Sequence, residues 1–259
     1  MKRLVVKVGT STLTYENGKM NIRRLSKLAE VLTDIANSGT EVVLVSSGAI
    51  GVGVQKLGLS EKPRSTKEQQ AAASVGQSEL MFIYDKLFGE YNQTISQLLL
   101  TSEDIDDAKR RENLLGTFES LFRYGVIPIV NENDSTTTDE IEFGDNDTLS
   151  ALTAKLVGAD MLVILSDING LYNKDPNRYP DAKIIHTVDK VDESIYEMAG
   201  GAGSRMGTGG MKTKLDAAVI ATGAHMDMVI MNGSDPTDLY KVLDGEKVGT
   251  IFIGLKPDK

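Results

Sequence analysis

A glycine-rich segment that ends in two lysines is the stretch of this sequence best suited to chemistry. Residues 200–214 read GGAGSRMGTGGMKTK, and six of these fifteen residues are glycine. Glycine allows positive φ angles and a close approach of the backbone to a ligand, and the helical pattern from Met211 offers free N–H groups beside it. Lys212 and Lys214 fall in the first helical turn, where the helix dipole disfavours cations, so a bound polyphosphate would remove that conflict. The segment therefore predicts phosphate binding. An ordinary surface loop is the alternative, and the spacing is not that of a Walker A loop.

A second glycine turn follows the first predicted strand. Residues 4–8 form a nearly continuous β-branched run, typical of a strand buried in a parallel sheet, and Gly9, Thr10 and Ser11 come directly after it. Lys7 interrupts the run, and a buried lysine is costly unless it is paired. We therefore expect Lys7 either to emerge at the carboxyl end of the strand or to meet an anion; the alternative is an edge lysine that reaches solvent.

The succession of strand, glycine turn and helix occurs again at residues 41–53. The apolar strand ends in SSGAIGVG, which occupies residues 46–53. Ligands of open α/β sheets bind at the carboxyl ends of the strands, so Ser46, Ser47 and Gly48 are candidate substrate contacts. The motif is weak in isolation because strand-to-helix turns often use Gly and Ser for local reasons.

Acidic and amide side chains are concentrated in residues 131–149, which read NENDSTTTDEIEFGDNDTL. A solvated acidic loop is one interpretation. The asparagines between the carboxylates favour instead a site for an α-amino group or for hydrated Mg²⁺. Residues 145–147 precede a helical pattern at 148–158, whose free N–H groups can receive a substrate carboxylate.

Alternating strands and helices must position these residues. The hydrophobic patterns predict strands at 4–8, 41–45, 94–100, 126–130, 161–165, 227–231 and 250–253. They predict helices at 23–38, 69–88, 113–124, 148–158 and 191–198, a helix after the glycine-rich segment, and a helical turn at 239–243. Ser102 is the expected N-cap of a further helical segment. The helix after the glycine-rich segment is expected to place Met211, Leu215, Ala218, Val219 and Thr222 on one face.

Composition disfavours several classes of function. The chain of 259 residues is long enough for one large α/β domain or two small ones. Its 28 basic and 37 acidic residues give a net charge of −9, which disfavours nucleic acid and anionic membranes as partners. The absence of cysteine excludes disulfides and thiolate chemistry, and two histidines make a histidine-based centre a poor fit. We see no signal peptide and no apolar run of about 18 residues, so we expect a cytoplasmic protein.

Together these motifs resemble the amino acid kinase family, and within it the members that phosphorylate glutamate. The resemblance rests on KVGTS (7–11), SSGAIGVG (46–53), VNEND (130–134), FGDND (143–147), LSDINGLYNKDP (165–176) and GTGGMKTK (207–214), in that order along essentially the whole chain. It implies an α/β fold, a three-layer α/β/α sandwich around a mainly parallel central sheet of about eight strands. It also implies a single kinase domain over residues 1–259, without the C-terminal PUA domain of many bacterial members.

The resemblance further implies transfer of a phosphoryl group from ATP, with Mg²⁺, to the γ-carboxylate of L-glutamate. The product, L-glutamyl 5-phosphate, begins proline biosynthesis, so proline is the expected feedback inhibitor, and a homodimer or homotetramer is the expected assembly. The γ-carboxylate is already ionised near pH 7, so the reaction needs no general base. The enzyme must instead align two anions and stabilise the charge of the transferring group.

Carried over by position, the resemblance assigns roles to individual residues. Lys7 and Lys214 match lysines that bind the transferring phosphoryl group, and Asp147 matches the aspartate that orients them. The implied glutamate-binding residues are Ser47, Asp134, Asn146 and Asp145. The implied nucleotide-binding residues are Lys7, Gly9, Ser166, Asp167, Thr208, Gly209, Gly210, Met211, Lys212, Thr213 and Lys214. No direct metal ligand is assigned, and Lys212 is also compatible with a solvated neighbour of Lys214.

Two alternatives stay open at the level of the sequence. Kinases of carbamate, acetylglutamate, uridylate or aspartate use similar glycine turns, and residues 131–147 would then decide the substrate. A non-catalytic sensor of nucleotides or amino acids is the other alternative. The presence of Lys7, Lys214 and Asp147 speaks against a sensor, because binding alone does not require the lysine pair.

Overall fold

The computed structural model of the chain describes residues 1–15, 17–136, 146–176, 178–200 and 210–255. Its strands are β1 (Arg3–Val8), β2 (Glu41–Ser46), β3 (Ile95–Leu100), β4 (Ile127–Glu132), β5 (Met161–Ser166), β6 (Thr187–Val188), β7 (Asp227–Asn232) and β8 (Thr250–Phe252). They form an eight-stranded sheet in the order β3-β4-β2-β1-β5-β7-β8-β6. Only the pair β7 and β8 is antiparallel among the described strands, so the expected mainly parallel sheet is confirmed.

Helices cover both faces of this sheet. They are α1 (Thr10–Leu13), α2 (Ile22–Asn37), α3 (Ala49–Lys56), α4 (Thr66–Gly89), α5 (Ser102–Asp106), α6 (Ala108–Arg123), α7 (Asp147–Val157), α8 (Glu193–Gly200), α9 (Met211–Gly223) and α10 (Asp238–Leu243). Among the described helices, none combines the length and the apolar composition that crossing a membrane would require.

Alternation along the central strands divides the core between the two faces. In β1, Leu4, Val6 and Val8 pack with α2, α4 and α10, whereas Val5 packs with α6, α7 and α9. Successive side chains of a strand point to opposite faces, so a continuous apolar run is the pattern of a strand covered on both sides. The expected three-layer α/β/α sandwich is therefore confirmed.

The predicted strand bounds agree with the structure to within two residues, and the differences among helices have local causes. Helix α6 begins at Ala108 rather than at 113, because the Asp107 side chain caps it by accepting the Arg110 N–H at 2.8 Å. The N-cap of α5 is Thr101 and not Ser102, because Asp104 accepts the Thr101 backbone N–H at 2.8 Å.

The buried face of α9 also differs from the expected one. Val219 is 45% exposed, whereas Ala217 and Ala221 are buried beside Ala218. Helix α9 packs against α7 as well as against β7. Two neighbours bury a wider arc than the single face that the apolar pattern predicted, and alanines permit the close approach.

Two glycines set the contact between α3 and α4. A Cβ atom at Gly53 would lie 1.8 Å from the Ala72 carbonyl oxygen, and one at Gly76 would lie 1.8 Å from the Ala49 carbonyl oxygen. Neither backbone can give way locally, so any larger side chain would push the helices apart.

We expect Gly76→Ala to destabilise the fold by about 1–3 kcal/mol or more, as overpacking of a rigid contact does. Gly116→Ala in α6 is the matched control. An added Cβ there meets nothing within 4 Å, so we expect a gain of about 0.5–1 kcal/mol. Urea unfolding of both variants measures the difference, and equal stabilities would contradict the steric argument.

Candidate active site

The candidate residues meet at the carboxyl edge of the parallel sheet. Strands β4, β2, β1 and β5 are neighbours, with Val8 at the end of β1 paired to Ser46 of β2 and to Leu165 of β5. The segments that follow these strands therefore emerge side by side, as expected for ligand sites of open α/β sheets.

A buried carboxylate lies between two buried lysines at this edge. Asp147 Oδ1 is 2.8 Å from Lys7 Nζ, and Asp147 Oδ2 is 3.0 Å from Lys214 Nζ. The Thr213 hydroxyl donates to the same Oδ2 at 3.0 Å. The side chain of Asp147 is fully buried, and both lysines are almost so. The prediction that Lys7 meets an anion is therefore confirmed, and the anion belongs to the protein itself.

Three elements bring these charges together. Lys7 lies one residue before the end of β1, and Asp147 is the first residue of α7. A carboxylate is favourable in a first helical turn because the helix dipole is positive there. In the same turn, the Ser150 hydroxyl donates to the backbone carbonyl oxygen of Asp147 at 2.6 Å. Lys214 lies in the first turn of α9 and is turned inwards to Asp147.

The charge conflict predicted for α9 is thus relieved in part within the chain for one of its two lysines. Asp147 gives the Lys214 ammonium group an anionic partner, which Lys214 shares with Lys7. Lys212 is exposed, which agrees with the interpretation of a solvated neighbour.

The glycines at this edge differ in their backbone conformation and in their surroundings. Gly48 has φ +92° at the N-cap of α3, a conformation that strongly favours glycine. Gly210, the N-cap of α9, has an extended backbone with φ −67°, and residues 201–209 of the glycine-rich segment lie outside the described residues. An added Cβ at Gly9 would lie 3.5 Å from Lys7 Nζ, which places this turn directly beside the charged centre.

A chain of buried amides lies next to the charged centre. Asn146 Nδ2 donates to the Ser46 carbonyl oxygen at 2.7 Å and to Asn131 Oδ1 at 2.6 Å. Asn131 Nδ2 donates in turn to Gln77 Oε1 at 2.8 Å. Within the described ranges, the Asn146 Oδ1 and Ser47 Oγ atoms are buried without a hydrogen-bond partner. Both atoms are therefore placed to receive polar groups of a ligand.

A tyrosine of α4 contacts the last residue of β2 through a buried hydrogen bond. The Tyr84 hydroxyl lies 2.9 Å from Ser46 Oγ, and both residues are fully buried. Burial raises the pKa of the Tyr84 phenol, against a smaller opposing effect of the Ser46 hydrogen bond. The phenol therefore stays neutral and acts as a support for the strand end.

The other predicted site residues have different positions. Asp134 is buried just beyond the end of β4. Ser166 ends β5, next to β1, and its hydroxyl donates to Asp167 Oδ1 at 3.1 Å. Asp145, Thr208 and Gly209 lie outside the described residues.

The described residues contain no group of three or more His, Cys, Asp or Glu side chains placed to hold a metal ion. The buried carboxylate of Asp147 is already compensated by two ammonium groups. These residues therefore do not form a magnesium site by themselves.

No motif of the sequence indicated an individual role for Gln77, Tyr84 or Asn131. Asn131 was visible as one of the asparagines of the acidic segment. Gln77 and Tyr84 lie on a helix with no chemical motif, seven residues apart and hence on the same face. That common spacing was the only signal for them in the sequence.

The fold and the site define an α/β protein with a cationic centre at the carboxyl ends of parallel strands, an arrangement suited to phosphoryl groups. The chain belongs to the amino acid kinase family, whose sequence model matches residues 2–232.

Named relatives include glutamate 5-kinases. That of Clostridium perfringens is 53% identical, and the match covers 98% of this chain and 96% of the relative. That of Listeria innocua is also 53% identical, over 99% of this chain and 95% of the relative. The enzyme of Caldanaerobacter subterraneus is 50% identical over 98% of this chain but only 68% of its own length.

Solved structures of the same fold include two UMP kinases. The enzyme of Bacillus anthracis superimposes with a TM-score of 0.63 at 15% identity, over 98% of this chain and 97% of that one. The enzyme of Ureaplasma parvum superimposes with a TM-score of 0.65 at 12% identity, over 97% of this chain and 98% of that one. At these identities the likeness concerns the fold alone.

Proposed function

We propose that this protein is a glutamate 5-kinase, which transfers the terminal phosphoryl group of ATP to the γ-carboxylate of L-glutamate. The observation that carries this proposal is the pair of buried lysines held by Asp147 at the carboxyl edge of the sheet. The choice of glutamate as acceptor follows from relatives of that name that are 53% identical over nearly the whole chain.

The charged centre suits transfer between two anions. Lys7, Lys214 and Asp147 together carry one net positive charge in a buried environment, where electrostatic stabilisation is strong. An ammonium group has three N–H donors, so a lysine that donates to Asp147 can also donate to phosphoryl oxygens. Asp147 holds the two lysines in fixed positions, and the γ-carboxylate attacks without a general base because it is already ionised.

The amide side of the site suits an amino acid. Asn146 Oδ1 is a buried acceptor and Asp134 a buried carboxylate, and both are partners for the α-ammonium group of glutamate. The Ser47 hydroxyl is a donor for a substrate carboxylate. Asp145 completes this proposed set.

The nucleotide is assigned to the turns around the two lysines. We place the ATP phosphates at Gly9 and at the N-terminus of α9, with Gly210, Met211, Lys212 and Thr213 as contacts, and include Thr208 and Gly209 in the same segment. Ser166 and Asp167 are proposed contacts at the end of β5. Mg²⁺ is proposed to enter with ATP as the counter-ion of its phosphates.

The remaining proposals rest on the family resemblance. They are inhibition by proline, a homodimer or homotetramer, a cytoplasmic location and one kinase domain over residues 1–259. The single sheet that runs from β1 to β8 supports the last of these.

The test is turnover of ATP and Mg²⁺ with L-glutamate, with the acyl phosphate trapped as the hydroxamate. We expect product with glutamate and less product when proline is added. Aspartate, N-acetylglutamate, carbamate and uridylate are assayed beside it. Preferred turnover of one of these would overturn the choice of glutamate, and nucleotide binding without turnover of any acceptor would favour a sensor.

A further inference from the structure

One side chain of α4 contacts the proposed substrate site. Gln77 is 8% exposed, and its Oε1 atom accepts the Asn131 amide N–H at 2.8 Å. Helix α4 comes close to this edge because Gly76, the preceding residue, packs directly on the backbone of Ala49 at the start of α3. The glycine contact therefore places Gln77 beside the ends of β2 and β4.

Two backbone groups fix the direction of the hydrogen bonds in the amide chain. The Glu132 N–H can only donate, and it donates to Asn131 Oδ1 at 2.9 Å. The Ser46 carbonyl oxygen can only accept, and it accepts from Asn146 Nδ2. A primary amide presents its oxygen on one side and its NH₂ group on the other. Asn131 therefore turns its NH₂ group towards Gln77.

The same polarity decides what Asn146 offers to a ligand. Its NH₂ group has two protons, and both are used, by the Ser46 carbonyl oxygen and by Asn131 Oδ1. The Asn146 Oδ1 atom is then left as a buried acceptor without a partner in the described part of the chain. A buried acceptor that lacks a donor is costly, and an ammonium group of a ligand is a donor that removes the cost.

We infer that Gln77 is a positioning residue for recognition of the α-ammonium group of the substrate. It acts through Asn131 and holds the Asn146 amide with its oxygen towards the ligand. This inference rests on the proposed function. Without an acceptor at position 77 the buried Asn131 NH₂ group loses its partner, so the Asn131 side chain is no longer held in place. The Asn146 side chain, which donates to Asn131 Oδ1, then loses its fixed position, and its Oδ1 atom is less well placed for an ammonium group.

The experiment compares the wild-type protein with Gln77→Met, which keeps the size of the side chain and removes the acceptor. The readouts are the KM for glutamate, the KM for ATP, and the inhibition constant of glutarate. Glutarate has both carboxylates of glutamate but no α-ammonium group. We expect the KM for glutamate to rise about tenfold in Gln77→Met, with little change in the glutarate constant and in the KM for ATP.

Two further variants make the result specific. Gln77→Glu keeps an acceptor oxygen in either protonation state, so we expect it to restore the preference for glutamate over glutarate. Gln97→Met makes the same replacement at an exposed position of the edge strand β3, and we expect wild-type constants. Should Gln77→Met fail to fold, Gln77→Leu provides the same comparison.

Three results would overturn the inference. They are an unchanged preference for glutamate over glutarate in Gln77→Met, an equal weakening of glutamate, glutarate and ATP, and a loss that Gln77→Glu does not restore. Failure of the proposed function is seen separately, as absence of glutamate turnover in the wild-type protein.

Discussion

Replacement of either buried lysine is expected to reduce kcat by about 10²–10³, the cost of removing one preorganised charge from a transition state. The variants are Lys7→Ala and Lys214→Ala. Each lysine is almost completely buried against Asp147, so no neighbouring solvent-exposed cation can take its place. The KM for ATP should change much less, because the loss concerns charge that develops during transfer.

Lys155→Ala is the matched control for this prediction. Lys155 lies in the last turn of α7, the helix that begins at Asp147, but is exposed to solvent. We expect its kcat to stay within about twofold of the wild-type value, since an exposed charge is screened. Hydroxamate formation under saturating ATP and glutamate measures all three variants. Normal turnover in Lys7→Ala or Lys214→Ala would remove that lysine from the mechanism.

Loss of the buried carboxylate is expected to be the most destabilising single change in the site. Asp147→Asn would leave the Lys7 and Lys214 ammonium groups buried without their shared counter-charge. Removal of one partner from a buried ion pair costs about 3–5 kcal/mol, because the remaining charge stays desolvated. Globular proteins are stable by only about 5–15 kcal/mol, so the variant should unfold at clearly lower urea concentration.

Glu112→Gln tests whether this effect depends on burial. Glu112 and Lys109 form an ion pair at 3.2 Å on α6, with about three-quarters of each side chain exposed. Such pairs contribute about 0–1 kcal/mol, so the unfolding midpoint of Glu112→Gln should hardly move. An Asp147→Asn variant as stable as Glu112→Gln would contradict the assignment of Asp147 as the counter-charge of both lysines.

Most of the fold was predictable because its signals are local. The β-branched runs of β1, β2 and β5 are covered on both faces, so their apolar residues are continuous in the sequence and easily recognised. The two-residue strand β6 was not predicted, since Thr187–Val188 is too short to show a pattern. The early start of α6 was missed as well, because a single capping side chain decided it.

The site was predictable only in part. A lysine within an apolar strand and lysines in a first helical turn both indicated that an anion lies nearby. The structure places such an anion, the Asp147 carboxylate, beside Lys7 and Lys214. Asp147 lies 140 residues from Lys7 and 67 residues from Lys214 along the chain. No local pattern relates positions at such separations. The roles assigned to Ser47, Asp134 and Asn146 stay predictions, although the structure brings Ser47 and Asn146 to the same edge.

The sequence by itself determined the alternation of strands and helices, the glycine turns at the strand ends and the presence of buried charge. Each of these follows from the conformational preferences and the hydrophobicity of neighbouring residues. The tertiary structure alone decided which charges compensate one another, and that α4 contributes Gln77 and Tyr84 to the site. The physical reason is that hydrogen bonds and ion pairs depend on distances of about 3 Å. Only the packing of distant elements fixes such distances, and for α4 that packing includes the contact of Gly53 and Gly76 with the facing helix backbones.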